Sequence, residues 1–144
     1  MAKRIEPIRK TPEEHLDDLL AGHRDATFRE EGAKYVRRAI GSSSSLPNAV
    51  KFFAYALLAA DSPDEEEALD ALRQAEGYVE VAREQLGRRF GKELSTLRFL
   101  ERGITLRSER AEIEEAIRLC DLAIDLGLGI VYERKRASLE RLTS

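Results

Sequence analysis

The stretch SPDEEEALDALRQAEGYVEVAREQL, residues 62–86, decides the fold. Ala68, Leu72, Ala75, Val79, Ala82 and Leu86 recur at alternating intervals of four and three. That spacing lays the apolar side chains along one narrow stripe of an α-helix. The helix start is also written out. Ser62 offers a capping oxygen, Pro63 suits a first helical position whose N–H has no partner, and Glu65 stands where a carboxylate reaches back to the cap. The spacing predicts a helix over 62–86, built to pack against other helices. Phe90, Leu94, Leu97 and Leu100 continue the stripe past Gly87 and Gly91. Each glycine costs about 1 kcal/mol in a helix interior relative to alanine, so a turn is expected over 87–91.

Reading outward toward the N-terminus, residues 47–60 are apolar nearly all round: Val50, Phe52, Phe53, Tyr55, Leu57 and Leu58 with intervening alanines. A helix without a polar face is enclosed. It is expected to be either the central helix of a bundle or a helix shared between subunits. Ahead of it, Ser42–Ser45 with Leu46-Pro47 reads as a linker. A helix over about 26–40 turns Phe28, Tyr35, Val36, Ala39 and Ile40 inward and ends at Gly41. Thr11-Pro-Glu-Glu14 is a second capping motif. It opens a short helix with Leu16, Leu19 and Leu20 inward and Gly22 as its stop. Residues 1–10 are polar and basic and read as a flexible arm.

Toward the C-terminus, residues 104–107 read as a connector after Gly103, with Ser108 as the cap of the last long helix. The stripe of that helix runs Ile113, Ile117, Cys120, Ile124, Leu128 and Val131, with a break at Gly127 and Gly129 and an extension through Leu139 and Leu142. The organisation is thus an arm over 1–10 and a single-domain, all-α helical bundle of five to six helices over 11–144. A chain of this length buries roughly 70% of its unfolded surface, enough for one core.

The composition agrees. Apolar residues make up 42% and charged residues 35% of the 144, rich in the helix formers Ala, Leu, Glu and Arg. The net charge of −3 supplies no global attraction to nucleic acid or an anionic membrane. The one cysteine, Cys120, excludes an intramolecular disulfide and a cysteine zinc site. No signal peptide or membrane span is read, so the expected location is cytoplasmic.

Candidate chemistry is sparse. His15 and His23 are eight residues apart, about 80° on a helix, so they do not share a face. Both read as exposed residues on an acidic helix. The carboxylates of 61–67 lack calcium-loop spacing and suit the positive end of a helix dipole. Cys120 sits in a stripe and reads as a small buried hydrophobe. No cofactor, metal or catalytic constellation is read. Three basic clusters remain: Arg37-Arg38; Arg88, Arg89 and Lys92; Arg134, Lys135 and Arg136.

The expected function is a non-catalytic interaction or assembly protein that self-associates or docks on a protein partner. The homo-oligomer favoured is a two-fold dimer, through Val50, Phe53, Leu57, Ile117, Ile124 and Val131. The alternative is an accessory nucleic-acid-binding subunit using Arg88, Arg89, Lys92, Arg134, Lys135 and Arg136, which requires the clusters to converge. A third class, a small enzyme, requires a pocket holding a histidine or several carboxylates.

Overall fold

The computed structural model describes residues 10–42 and 46–143; the expected arm apart from Lys10, and most of the expected serine linker, lie outside them. The described residues are all-α. Their helices are α1 (Pro12–Arg24), α2 (Arg29–Gly41), α3 (Asn48–Asp61), α4 (Glu65–Gly77), α5 (Val79–Leu86), α6 (Arg88–Leu94), α7 (Phe99–Glu109), α8 (Ile113–Asp125) and α9 (Ile130–Glu140). Short connections make successive helices pack as neighbours: α1 on α2, α2 on α3, α3 on α4, α7 on α8 and α8 on α9. A second set of contacts joins α1 to α3 and α3 to α7, so the odd-numbered helices α1, α3 and α7 form a row. Helix α5 lies across α3 and touches α1, and α6 follows on α5.

Helix α3 is the centre. Ala49, Val50, Phe52, Phe53, Ala54 and Ala56 are fully buried. Of the two expected placements for this helix, the chain itself supplies the enclosure. Phe52 meets Phe53, Phe90 and Phe99 with ring centroids 5.0, 5.3 and 5.6 Å away. The core is continuous from Leu16 of α1 to Leu139 of α9.

The stripe of 62–86 is buried at every position from Ala68 to Leu86, yet the element is two helices. The chain bends at Gly77 and Tyr78, where Tyr78 has φ −107° and ψ 3°. The bend stacks Tyr78 on Tyr55 at 6.0 Å. The stripe keeps its period through the bend, which is why periodicity alone does not reveal it. The start is also two residues later than expected. Asp64 is the N-cap, accepting from the Glu66 and Glu67 amides at 2.9 and 3.4 Å. Ser62 instead closes α3; it is fully buried, and its hydroxyl donates to Glu67 Oε1 at 2.7 Å.

Elsewhere the caps are mixed. The Thr11 capping box forms as expected, with Thr11 and Glu14 each accepting the other's backbone N–H. Gly22 does not stop α1, which runs on to Arg24; its missing side chain makes room for the Tyr35 ring. Phe28 is not inward but 68% exposed, standing at the N-cap of α2. The expected break falls at Gly87, with φ +50°, while Gly91 lies inside α6. In α8 the stripe is rotated: Ala116, Leu119, Cys120 and Ala123 are buried, and Ile117 and Ile124 flank them half-buried. Burial pushes the Cys120 thiol pKa up.

The connector read at 104–107 is helix. Gly103 does not end α7, because Leu72 and Leu119 press on the space its side chain would fill. Ser108 is inside the helix and donates to the Ile104 carbonyl at 2.7 Å rather than capping α8. The true end is a Schellman motif. The Glu112 amide donates to Arg107 O at 2.8 Å and the Ala111 amide to Ser108 O at 3.0 Å. Ala111 holds the left-handed position at φ 62°, where glycine is usual. A left-handed alanine costs roughly 1–2 kcal/mol. Ala111→Gly is therefore expected to stabilise the protein by about 1 kcal/mol, read as a higher urea midpoint. An unchanged or lower midpoint would show that the turn carries no such strain.

Candidate ligand groove

The residues named as an oligomer interface separate into two groups. Val50, Phe53 and Leu57 are buried in the chain's own core, at 0, 0 and 8% exposure, so they offer no surface to a second copy. Ile117 and Ile124 are half-buried. Val131 is exposed and lies beside exposed Ile130 at the start of α9. The apolar surplus that suggested a dimer is largely absorbed inside the chain.

The basic clusters lie on separate helices: Arg37 and Arg38 on α2, Arg88, Arg89 and Lys92 on α6, and Arg134, Lys135 and Arg136 on α9. Arg89 is held by Asp17 at 2.6 Å and Glu93 at 3.0 Å, and Arg136 by Asp121 at 2.5 Å and by Glu140. Arg88 and Lys92 are exposed on α6, which packs on α5, whereas α9 packs on α8. Adjacent helical residues point about 100° apart, so adjacency in sequence is not convergence in space. Several other arginines join helices: Arg37 to Glu67 at 2.6 Å, Arg118 to Glu76 at 2.6 Å, and Arg110 to Glu66 at 2.7 Å. Arg37 and Arg118 each meet both oxygens of their partner, contacts that the planar guanidinium fork suits.

A different set of residues converges where α1, α2, α3 and α7 meet. His23, in the last turn of α1, places Nε2 2.5 Å from Asp61 Oδ2 at the end of α3. It is therefore not an exposed residue of an acidic helix. Gly32 of α2 permits the pair: a Cβ there would stand 3.2 Å from the imidazole ring. Arg29 Nη2 donates to the Ala60 carbonyl at 2.7 Å. Arg102 Nη1 donates to Ala59 O at 3.1 Å and Ala60 O at 3.2 Å. These are carbonyls of the last turn of α3, which lack helical partners and sit at the negative end of its dipole. Burial and the charge of Arg29 push the Arg102 pKa below its usual value; the guanidinium stays charged at neutral pH.

The groups enclose a cleft of about 520 Å³, with Arg98 and Glu101 on its rim and Leu57 and Leu97 in its wall. A second cleft of about 510 Å³ lies between α7 and α9, with Ile104, Val131 and Leu139 in its wall and Arg134, Lys135 and Glu109 at its edge. Thr105 lines both. The two clefts therefore adjoin at Thr105, and together they are called the groove of α1, α3, α7 and α9. Five cations, Arg29, Arg98, Arg102, Arg134 and Lys135, face three carboxylates, Asp61, Glu101 and Glu109. The groove is net positive in a chain of charge −3.

Of the residues read from sequence, Val131, Arg134 and Lys135 belong to the groove; Arg88, Arg89, Lys92 and Arg136 do not. Arg29, Arg98 and Arg102 were not singled out. Arg98, Arg102 and Thr105 at intervals of four and three mark one face of α7, a signal hidden once 104–107 is read as a connector. The pairing of His23 with Asp61 spans 38 residues and has no local signature. Among the described residues, no group of three or more His, Cys, Asp or Glu converges as metal ligands. No helix of the described residues is long and apolar enough to cross a membrane. No family model, curated protein or solved structure matches this chain.

Proposed function

We propose that this protein is a non-catalytic interaction module that docks an acidic protein segment with apolar anchors in the groove of α1, α3, α7 and α9. The observation that carries this reading is the adjacency of the two clefts, which share Thr105, under an excess of cations. Apolar walls supply affinity by removing surface from water, and the rim charges select an acidic partner. The cleft does hold a histidine and carboxylates, the mark set for an enzyme. Its hydroxyls argue for binding instead: Thr96 Oγ1 donates to the Glu93 carbonyl at 2.7 Å and Thr105 Oγ1 to the Glu101 carbonyl at 3.0 Å. Neither hydroxyl is hydrogen-bonded to His23 as an activated nucleophile would be.

The test is fluorescence anisotropy with a labelled peptide of alternating leucine and glutamate, beside its leucine–lysine counterpart. The acidic peptide is expected to bind, more weakly as salt rises. Val131→Glu puts a carboxylate on the groove wall and is expected to weaken binding about tenfold, or 1.4 kcal/mol. Equal binding of the basic peptide, or no binding of the acidic one at low salt, would sink the reading. Preference for an oligonucleotide over the acidic peptide would favour the nucleic-acid alternative.

Exposed Ile130 and Val131 favour self-association as a second reading. Light scattering at micromolar concentration separates the two. A mass near 16.3 kDa leaves the groove free for a different partner. A doubled mass that Val131→Glu returns to the monomer value places a second copy on α9.

A further inference from the structure

Resting on that docking reading, we infer that the end of the groove between α3 and α7 is a carboxylate seat, where Arg102 and Arg29 hold one carboxylate of the docked chain. Arg102 is half-buried, yet among the described residues no carboxylate lies within ion-pair distance of it. Other sheltered arginines differ: Arg89 holds two carboxylates and Arg107 holds Glu112 at 2.9 Å. Withdrawing a cation from water without an opposite charge is unfavourable, so the site is electrostatically incomplete. Arg102 commits Nη1 to two carbonyls, and a guanidinium has five N–H donors. Nε and Nη2 remain, in the fork geometry that fits two carboxylate oxygens.

Arg29 strengthens the case. Its charge is close enough to oppose that of Arg102. Both guanidiniums converge on the one Ala60 carbonyl. An anion beside them relieves that repulsion. The acid already present is engaged elsewhere: Asp61 Oδ2 is held by His23 at 2.5 Å and Oδ1 pairs with Arg29 Nε at 3.8 Å. Charge points to the ligand class: Arg29, Arg98 and Arg102 outnumber Asp61 and Glu101 in the lining, so an anion is favoured. Leu57 and Leu97 offer an apolar wall for the carbon chain that carries it.

The experiment follows the Arg29 and Arg102 Nε–Hε signals by NMR in the full chain during titration with 4-methylpentanoate and with its neutral amide. The carboxylate is expected to shift Arg102 saturably, and the amide is not. Arg102→Lys should weaken the carboxylate at least tenfold while leaving the dichroism spectrum unchanged, and Arg102→Leu should abolish the effect on Arg29. Arg134→Glu, at the far end of the groove, should leave the small acid's affinity within about twofold. Acetyl-Leu-Glu-Leu-amide and acetyl-Leu-Gln-Leu with a free C-terminus tell a side-chain carboxylate from a terminal one. No saturable shift, an equal shift with the amide, or full affinity in folded Arg102→Lys would overturn the seat. Binding of the leucine–glutamate peptide with Arg102 Nε unmoved removes the seat and leaves docking standing. Binding of the small acid without the peptide removes docking, and with it the assignment of the carboxylate to a docked chain.

Discussion

Phe52→Ala is expected to remove about 3–5 kcal/mol of stability, the range for emptying a buried phenylalanine site. Phe52 is fully buried on the central helix and joins three others by its ring contacts alone. Phe53 lies on the same helix, Phe90 on α6 and Phe99 on α7. Edge-to-face and tilted ring pairs add roughly 0.5–1.5 kcal/mol each beyond area burial, so the upper end of the range is expected. Collapse around the vacancy is limited because the surrounding rings are themselves fixed by buried neighbours. Domains of this kind are stable by only about 5–15 kcal/mol, so the variant is left close to unfolding at ambient temperature. The urea midpoint should fall by about 1 M or more. Phe28→Ala is the control. That ring is 68% exposed, and its loss should move stability by no more than about 0.5 kcal/mol. Similar midpoints for the two variants would contradict the placement of α3 at the centre.

The contrast between those phenylalanines shows how far sequence reading reaches. Phe52 lies in a run with no polar face, and its burial follows from composition alone. Phe28 lies at the start of a helix, where a period-based reading assigns it to the apolar side. The helix begins one residue later, and Phe28 adopts an extended N-cap backbone at φ −123° and ψ 154°. Stripe positions were legible where several turns agree, as from Ala68 to Leu86. Helix ends were not, because they turn on single residues. Ala111 in a left-handed conformation ends α7 without the glycine that normally announces such an end, while Gly103 in mid-helix announced an end that does not occur. Those two errors hid the face of α7 that carries Arg98, Arg102 and Thr105. The described helices exceed the expected five to six for a related reason: the bend at Tyr78 divides the stripe of 62–86, and residues 95–98 separate α6 from α7 within its continuation.

The groove was the least legible feature, since it is assembled from the ends of separate helices. Clusters such as Arg88-Arg89 drew attention through adjacency, but adjacent side chains diverge on a helix. The arginines that do converge are isolated in sequence and meet only because α3 ends beside α7. The packing of α7 on the helices behind it bears on that meeting, and at Gly103 it leaves no room for a side chain.

Gly103→Val is expected to be the second severe substitution, at about 3 kcal/mol, the upper end of ordinary overpacking. A Cβ at position 103 would stand 2.4 Å from Leu72 Cδ2 and 3.2 Å from Leu119 Cδ1. Leu72 of α4 is 3% exposed and Leu119 of α8 is fully buried, so neither side chain has open space to enter. Helix propensity works the other way: replacing a mid-helix glycine by alanine is intrinsically worth up to about 1 kcal/mol. Gly103→Ala should consequently cost less than Gly103→Val, and the difference measures the clash. The decisive variant is the double substitution with Leu72→Ala. Leu72→Ala alone empties a buried site and should cost about 2–5 kcal/mol. Combined with Gly103→Val, the added methyls enter the vacated space, and the total should fall short of the sum by roughly 1–2 kcal/mol. Strict additivity would show that Gly103 and Leu72 are not in contact. The same pair reports on the groove, because a clash at Gly103 pushes α7 away from α4 and α8 and carries Arg102 with it. Gly103→Val should therefore weaken the leucine–glutamate peptide and displace the Arg102 Nε signal. The double variant should recover both, joining the packing of the core to the geometry of the groove.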